Sequence, residues 1–481
     1  MKIINVSSEA NPFVKVGGLG DVVYALSQKL AMMGEDVSIV LPMYGEMKNL
    51  VFEECKKIGS SSVYLAWRHQ GFDIYRTYVN GITYYLVQND YYFTHRPKVY
   101  GYFDDGERFA FFTLAAKALI EKLKLKPDII HIHDWQVGML PVVIREERPI
   151  KNNFKNTKFV VTIHNPAFQG RYGLPILGDL YNLSDDLYHD GRLRFYDSVS
   201  TLKAGIEYCD AITTVSPTHA VELLTSDGSW GLDGILQLKK DKFFGILNGI
   251  DTEEFNPRED SKIPFSYNTR TFLEQKTLNK LAFFKQYNLK ATEKPFFVVV
   301  SRLTYQKGVD LIISAMKELL YRGYPCFVLG SGEWEFEQQL NELKAQYPDI
   351  MGTYIGYNDT VAHQLYAAAD FFLMPSLFEP CGIGQMIAER YATLPIVRHT
   401  GGLADSVVNY DGKNLEEANG YNFFDNNYEA FINTINWALE NYHKRHKKVH
   451  IELMSNAINT NNSWKKSATK YLKLYSKITE K

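Results

Sequence analysis

The sequence predicts an α/β protein of two doubly wound domains, each a mostly parallel sheet flanked by helices. Three observations carry that expectation. Short apolar runs recur along all 481 residues, and each ends in a glycine-rich or polar loop. Segments with apolar residues at helical spacing follow most of these loops, the order of repeated βαβ units. Near residues 251–268 the apolar pattern lapses into Glu, Asn, Pro and Ser, which reads as a linker between halves long enough for separate cores.

Bulk composition narrows the function classes. The chain is 45% hydrophobic and 22% charged, as ordinary soluble proteins are, and its net charge of −2 argues against nucleic acid or an anionic membrane as partner. Cys55, Cys209, Cys326 and Cys381 lie far apart with neither metal nor redox spacing, which points to a reducing compartment. No apolar run approaches the ~20 residues needed to span a bilayer. Met1–Val6 enters directly into a strand without a signal-peptide pattern, so a cytoplasmic location is expected.

In the first half, Ile3–Val6 reads as a buried strand. The turn Ser7-Ser8-Glu9-Ala10-Asn11-Pro12 follows, and Lys15-Val16-Gly17-Gly18-Leu19-Gly20-Asp21 leads into a helix marked by Val22, Val23, Leu26 and Leu30. Gly17, Gly18 and Gly20 do not match the G-x-G-x-x-G dinucleotide fingerprint. They would let a ligand approach the backbone, with Lys15 supplying a charge suited to phosphate; taken alone, the stretch is read more readily as a plain glycine turn with a solvated lysine. Val37–Leu41 is the next strand, and Asp104-Asp105 caps a helix through Phe109, Phe112, Ala116 and Leu119. The strand Ile129–Ile132 ends in His131-Ile132-His133-Asp134-Trp135. Alternation puts His131 and His133 on one face, which would suit a metal, yet no third ligand lies nearby, so structural or sugar-contacting roles are favoured. Phe159–Ile163 ends at His164-Asn165-Pro166, again placing polar side chains at a strand's carboxyl end. Residues 172–198 are rich in Tyr, Asp and Gly and read as an excursion at the domain edge. Ala211–Val215 and Phe243–Leu247 are further strands, the second ending at Asn248.

In the second half, a helix over Thr271–Tyr287 precedes Phe296–Val300, a central strand ending at Ser301-Arg302-Leu303-Thr304-Tyr305-Gln306-Lys307-Gly308. Arg302 and Lys307 therefore share a strand-to-helix loop, two cations where a departing diphosphate needs compensation. Solvated loop cations are the alternative, weakened because Arg302 directly follows a buried strand. Thr353–Tyr357 leads into a helix over Val361–Ala369, with Tyr357 at a strand exit, there to stack on a base or simply to pack. Phe371–Met374 is an all-apolar strand. Pro375 and Pro380 interrupt regular structure, and helical spacing resumes at Ile383, Met386 and Ile387. Glu379 is caught in that loop, beside the bare amides of a helix N-terminus. A sugar diphosphate reconciles the two, the diphosphate taking the helix end and the carboxylate the sugar hydroxyls; a solvated loop carboxylate is the other reading. Leu394–Val397 is a strand, and Thr400-Gly401-Gly402 opens a helix. After Gly420 the pattern reads as helical, His443–His450 as a solvated basic face, and Trp464–Ile478 as a last amphipathic helix.

Five motifs taken in order resemble bacterial glycogen synthase and plant starch synthase: Lys15–Asp21, His131–Trp135, Ser301-Arg302 with Gln306-Lys307-Gly308, Phe378-Glu379-Pro380-Cys381-Gly382, and Thr400-Gly401-Gly402-Leu403. The resemblance covers almost the whole chain. It implies two Rossmann-like doubly wound domains facing across a cleft, the GT-B fold. The first domain would span 1–250, a nucleotide-sugar domain 251–460, and a helix within 461–481 would cross back to the first. The implied reaction is retaining transfer of glucose from ADP-glucose to the non-reducing end of an α-1,4-glucan such as glycogen, with no metal or other cofactor. By position, Lys15 and Gly18 would hold donor phosphate, Arg302 and Lys307 the leaving diphosphate, and the amides of Cys381, Gly382 and Ile383 its phosphate oxygens. Glu379 would meet the glucose hydroxyls and the cationic ring. His164 and Asn248 would touch the donor glucose, Tyr357 the adenine, Thr400 and Gly401 the bound substrate, and Asp134 the acceptor side.

One departure marks the subfamily. Many related retaining transferases carry a second glutamate eight residues after the first, where this chain has Ile387; Glu389 falls ten along. That favours the glycogen and starch branch over sucrose- or trehalose-type relatives, while Gly384, a threonine in some members, leaves donor fit open. Retaining hydrolases use two carboxylates about 5–5.5 Å apart, one of them a nucleophile. A single convincing carboxylate points instead to front-face attack. A glucan phosphorylase would need a lysine-bound pyridoxal phosphate, an inactive scaffold would show damage at Lys15, Arg302, Lys307 or Glu379, and a dehydrogenase would carry its glycine fingerprint.

Overall fold

A computed structural model describes residues 1–47, 55–443 and 447–480. The chain divides into two compact units, Met1–Ile246 joined by the segment from Ser467 onward, and Leu247–Lys466.

In the first unit, β1 (Lys2–Val6), β2 (Asp36–Pro42), β3 (Lys56–Leu65), β4 (Arg68–Val79), β5 (Ile82–Gln88), β6 (Ile129–His133) and β7 (Lys158–Ile163) are followed by three short strands, β8 (Arg171–Tyr172), β9 (Arg194–Phe195) and β10 (Ser198–Ser200), then β11 (Ala211–Thr214) and β12 (Phe243–Gly245). The main sheet has the order β12-β11-β7-β6-β1-β2-β5-β4-β3. Central β1 and β6 are Ile-rich and covered on both faces, with Ile3, Ile4, Ile129 and Ile130 fully buried and Asn5, His131 and His133 buried among them. Chain order reverses between β1 and β6, so the loops after these strands open at a switch point, where doubly wound sheets bind ligands.

The antiparallel margin β3–β5 had no counterpart in the sequence reading. β3 and β4 are rich in polar, part-exposed residues instead of apolar runs, β5 alone carries a buried run at Tyr84–Val87, and Asn80 (φ +49°) and Gly81 (φ +85°) make the tight turn between β4 and β5. The excursion at 172–198 holds helices Ile176–Tyr181 and Asp186–His189 and the small sheet β8-β10-β9.

The second unit carries β13 (Phe297–Val300), β14 (Cys326–Gly330), β15 (Met351–Ile355), β16 (Phe371–Met374), β17 (Leu394–Arg398) and β18 (Tyr421–Phe423) in the wholly parallel order β15-β14-β13-β16-β17-β18. Its switch point lies between β13 and β16. Residues 421–423 are thus a strand, and the helix expected from 420 begins at Tyr428, where Asn427 caps it. A helix covers Lys447–Asn459, while residues 444–446 of the basic run lie outside the described residues.

The stretch at 251–268 is packed structure of the second unit and not a free linker. Phe255 stacks on His363 with centroids 4.8 Å apart, the Asp260 carboxylate accepts from His363 Nδ1 at 2.8 Å and from the Tyr391 hydroxyl at 2.5 Å, and Tyr267 donates to the Tyr391 carbonyl. Its polar composition serves these contacts. The division accordingly falls at Ile246/Leu247 and not after Ile250, which moves Asn248 into the second unit. The last helix, Trp464–Thr479, brings Tyr475 onto His131 Nδ1 of β6 at 2.7 Å.

Glu389, on the helix Gly384–Arg390, is fully buried and accepts from Asn462 Nδ2 at 2.5 Å. Burial raises its carboxyl well above the ordinary range, so the folded chain holds a proton there that the unfolded chain releases. Its stabilising contribution is full below the unfolded carboxyl range and falls as pH rises toward the folded pKa. Glu389→Gln should therefore have a higher urea midpoint than the wild type at pH 8, with the gap closing at pH 5. A gap equal at both pH values would contradict this account.

Candidate active site

Three loops converge beyond the carboxyl ends of β13, β16 and β17. Leu377 N donates to the Gln306 carbonyl at 2.8 Å, and Gln306 Nε2 to the Phe378 carbonyl at 3.3 Å, stitching the first two loops together. Two glycines permit the approach. Gly308 has φ +68° and a Cβ there would stand 2.2 Å from the Pro375 carbonyl; Gly401 has φ +43° and its Cβ would meet the Glu379 carbonyl at 2.0 Å.

Glu379 sits at the centre, 8% exposed. Its Oε2 accepts from Lys307 Nζ at 2.5 Å and from Ser376 Oγ at 3.0 Å. Oε1 takes no donor among the described residues, so one oxygen is locked and the other is open. Arg302 is exposed and has no carboxylate partner among the described residues. The N–H groups of Gly382, Ile383 and Gly384 likewise have no acceptor among them, and Ile383 is exposed at the head of its helix. Cys381 is buried. Burial pushes its thiol up to about 12, opposed by the Asn248 N–H, so the sulfur stays a neutral thiol. Asn248 is itself buried, and its Oδ1 takes no donor among the described residues. Thr400 is buried at the head of the helix Gly401–Ser406.

Glu379, Lys307, Asn248, Cys381, Gly382, Ile383, Thr400 and Gly401 thus share one loop cluster, with Arg302 on the β13 loop that supplies Lys307. Tyr357 stands apart in the loop after β15, two strands from β13, highly exposed and donating to Asp359 at 3.3 Å. Sequence reasoning missed Ser376. Its one signal is position, three residues before Glu379 in a proline-bounded loop.

The first unit builds a second cluster at its own switch point. Glu9, at the end of the β1 loop, is buried; its Oε2 accepts from the N–H groups of Val16 and Gly17 at 2.6 and 3.1 Å, and its Oε1 from the Tyr100 hydroxyl at 2.5 Å. A carboxylate therefore shapes the glycine loop by occupying two of its amides, a role the sequence reading did not assign. Gly18 opens the helix Gly18–Met32, and half-exposed Lys15 pairs with Asp21 at 2.7 Å.

The histidines form a relay. Asn5 Nδ2 donates to Ser27 Oγ, leaving Asn5 Oδ1 to accept from His133 Nε2 at 3.1 Å. His133 Nδ1 must then accept from His164 Nε2, also at 3.1 Å, which leaves His164 Nδ1 with its lone pair. Burial lowers His131 and His164 to about 3 and His133 well below its ordinary value, so these rings stay uncharged at neutral pH. His131 spends its nitrogens on Tyr475 and Thr162. The ring nitrogens that alternation offered to a metal are thus engaged with protein groups. Asp134 follows on a left-handed backbone (φ +58°), held where its Oδ1 accepts the His164 N–H at 2.7 Å. Burial, opposed by the N–H groups of His164 and Asn165, lifts its carboxyl to about 7.

Among the described residues, Glu254, Asp359 and His363 gather metal-type ligand atoms, but Lys262 Nζ stands among them, 2.5 Å from Asp359 and 3.7 Å from Glu254. No described helix is long and apolar enough to cross a membrane.

A family model for the starch synthase catalytic domain matches residues 2–238, and one for group 1 glycosyl transferases matches residues 282–450. A glycogen synthase of Anoxybacillus flavithermus is 42% identical over 479 residues, 99% of this chain and 98% of its own. The chain belongs to the glycogen synthase and starch synthase family. The catalytic domain of starch synthase IV from Arabidopsis thaliana, solved with ADP and acarbose bound, superposes with a TM-score of 0.90 at 32% identity, covering 100% of this chain and 99% of that one. Sucrose-phosphate synthase from Thermosynechococcus elongatus, at 17% identity and a TM-score of 0.61 over the full length of both chains, shares the fold alone. As a member of the glycogen and starch synthase family, the chain is a GT-B glucosyltransferase that elongates an α-glucan.

Within this family member, Gly401→Ala should push the 379–380 backbone away from the β17 loop. The expected result is a native circular dichroism spectrum with kcat lower by about 100-fold, the scale of a misplacement near 1 Å. Unaltered kcat would show that the close approach does not position Glu379.

Proposed function

We propose that this enzyme transfers glucose from ADP-glucose to the non-reducing end of an α-1,4-glucan with retention, in the cytoplasm and without a metal or other cofactor. The observation that carries this reading is the divided Glu379 carboxylate. Lys307 and Ser376 hold one oxygen, and the other is open to a sugar hydroxyl. A carboxylate held by an ammonium at 2.5 Å is a weak nucleophile but a good electrostatic partner for an oxocarbenium-like ring.

The acceptor 4-OH attacks C1 on the face from which the diphosphate departs. The C1–O bond to phosphate breaks, the new C1–O bond forms, and the hydroxyl proton passes to a phosphate oxygen of the leaving ADP. Arg302 and Lys307 supply the positive charge that a metal would otherwise bring. The amides of Cys381, Gly382 and Ile383 receive phosphate oxygens, with Gly384 next in line at the head of the helix. Asn248 Oδ1 and the neutral His164 meet the glucose hydroxyls, Lys15 exchanges Asp21 for donor phosphate beside Gly18, and Tyr357 stacks on adenine. Thr400 and Gly401 line the donor, and Asp134 faces the acceptor. The ADP and acarbose in the starch synthase IV structure support the choice of a nucleotide donor and a glucan-like acceptor.

The test incubates the protein with glycogen and either ADP- or UDP-[14C]glucose and counts label in the polymer. Incorporation from ADP-glucose is expected, with Glu379→Gln lowering kcat by about 10²–10³-fold and no glucosylated Glu379 in mass spectra of trapped reactions. A glucosyl-Glu379 adduct would replace front-face attack with double displacement, and incorporation from UDP-glucose alone would overturn the donor assignment.

A further inference from the structure

A second concave site lies on the antiparallel margin of the first unit, away from the strand-end loops described above. A hollow of about 360 Å³ opens over β3, β4 and β5, lined by Lys56, Arg76, Thr77, Tyr78, Thr83 and Tyr85. Register places Lys56 opposite Arg76, Arg76 opposite Tyr85, and Tyr78 opposite Thr83, so these five side chains leave the same face.

Two like charges directly opposite on antiparallel strands repel each other. Among the described residues neither Lys56 nor Arg76 has an acceptor, and none of those lining the hollow is a carboxylate. The neighbouring Lys57, on the other face, is neutralised by Asp73 at 2.5 Å, so the same hairpin pairs a cation where it needs only stability. A lysine on an edge strand also discourages strand pairing, which accounts for Lys56 but not for Arg76 on interior β4.

Tyr85 gives the second, independent sign. It is 8% exposed and lines the hollow, and its hydroxyl has no hydrogen-bond partner among the described residues. The hydroxyls of Tyr78 and Thr83 are likewise unengaged. Asp36, the carboxylate whose field reaches Tyr85, is taken by Lys2 at 3.7 Å. Two cations without an acceptor among the described residues and three hydroxyls around one hollow complement a cluster of anionic oxygens.

We propose that this hollow binds a small organic phosphate. Arg76 takes two phosphate oxygens through its guanidinium fork, Lys56 adds the second charge, and the hydroxyls of Tyr85 and Thr83 donate to the remaining oxygens. The exposed ring of Tyr78 lies against the carbon portion of the ligand. The volume exceeds that of a lone phosphate and falls in the range of small-molecule sites.

The experiment titrates ribose 5-phosphate into the full-length protein, with ADP in excess to fill the donor site, and reads binding by calorimetry and by thermal midpoint. Saturable binding of one ligand per chain is expected, weakened about tenfold or more by Arg76→Gln and by Lys56→Gln and unaffected by Lys57→Gln, while ribose does not bind. Without ligand, Arg76→Gln should unfold at or above the wild-type midpoint, because it removes a repulsion; a purely structural arginine would lower it. Absence of saturable binding, or binding equally strong in the Arg76 and Lys56 variants, would overturn the proposal.

Discussion

The second unit depends on one ion pair, Lys307 with Glu379, 2.5 Å apart and largely withdrawn from water. Such a pair is costly to desolvate and is stable only when the chain around it is fixed. The structure meets that condition with backbone: β13 and β16 lie side by side at the point where strand order reverses, so their loops leave the sheet together. Gly308 and Gly401 then let three loops close to distances that a side chain would forbid. Lys307 and the Glu379 carboxylate are thereby held against each other by backbone contacts of their own loops.

The first unit reaches similar rigidity by the opposite electrostatic route. Its switch point is lined with imidazoles kept neutral by burial and ordered by a chain of hydrogen bonds from Ser27 through Asn5 and His133 to His164. Glu9 confines its own carboxylate by bonding to the glycine loop and Tyr100.

The residues legible in the sequence share one property: they follow unbroken apolar strands. Arg302, Lys307, Glu379 and His164 could be placed because a strand buried on both faces has few alternatives, and its exit is where ligands bind. The β3–β5 margin escaped notice because β3 and β4 are polar and part-exposed, although Asn80-Gly81 and the buried run Tyr84–Val87 were sufficient signals. The stretch at 251–268 misled because polarity marks both linkers and packed straps, and only tertiary partners such as His363 and Tyr391 separate them. Glu9 and Ser376 are ordinary residues in ordinary turns. Their importance comes from which atoms they reach, and no spacing rule encodes that.

The contact between His131 and Tyr475 makes the first unit discontinuous in sequence, its core strand closed by a helix from the far end of the chain. A polypeptide emerging from the ribosome therefore presents the whole intervening domain before the first can be sealed. Until the helix that carries Tyr475 has been made, a buried imidazole in β6 lacks its phenol partner, so loss of that helix would harm a strand whose His131 lies 344 residues before Tyr475.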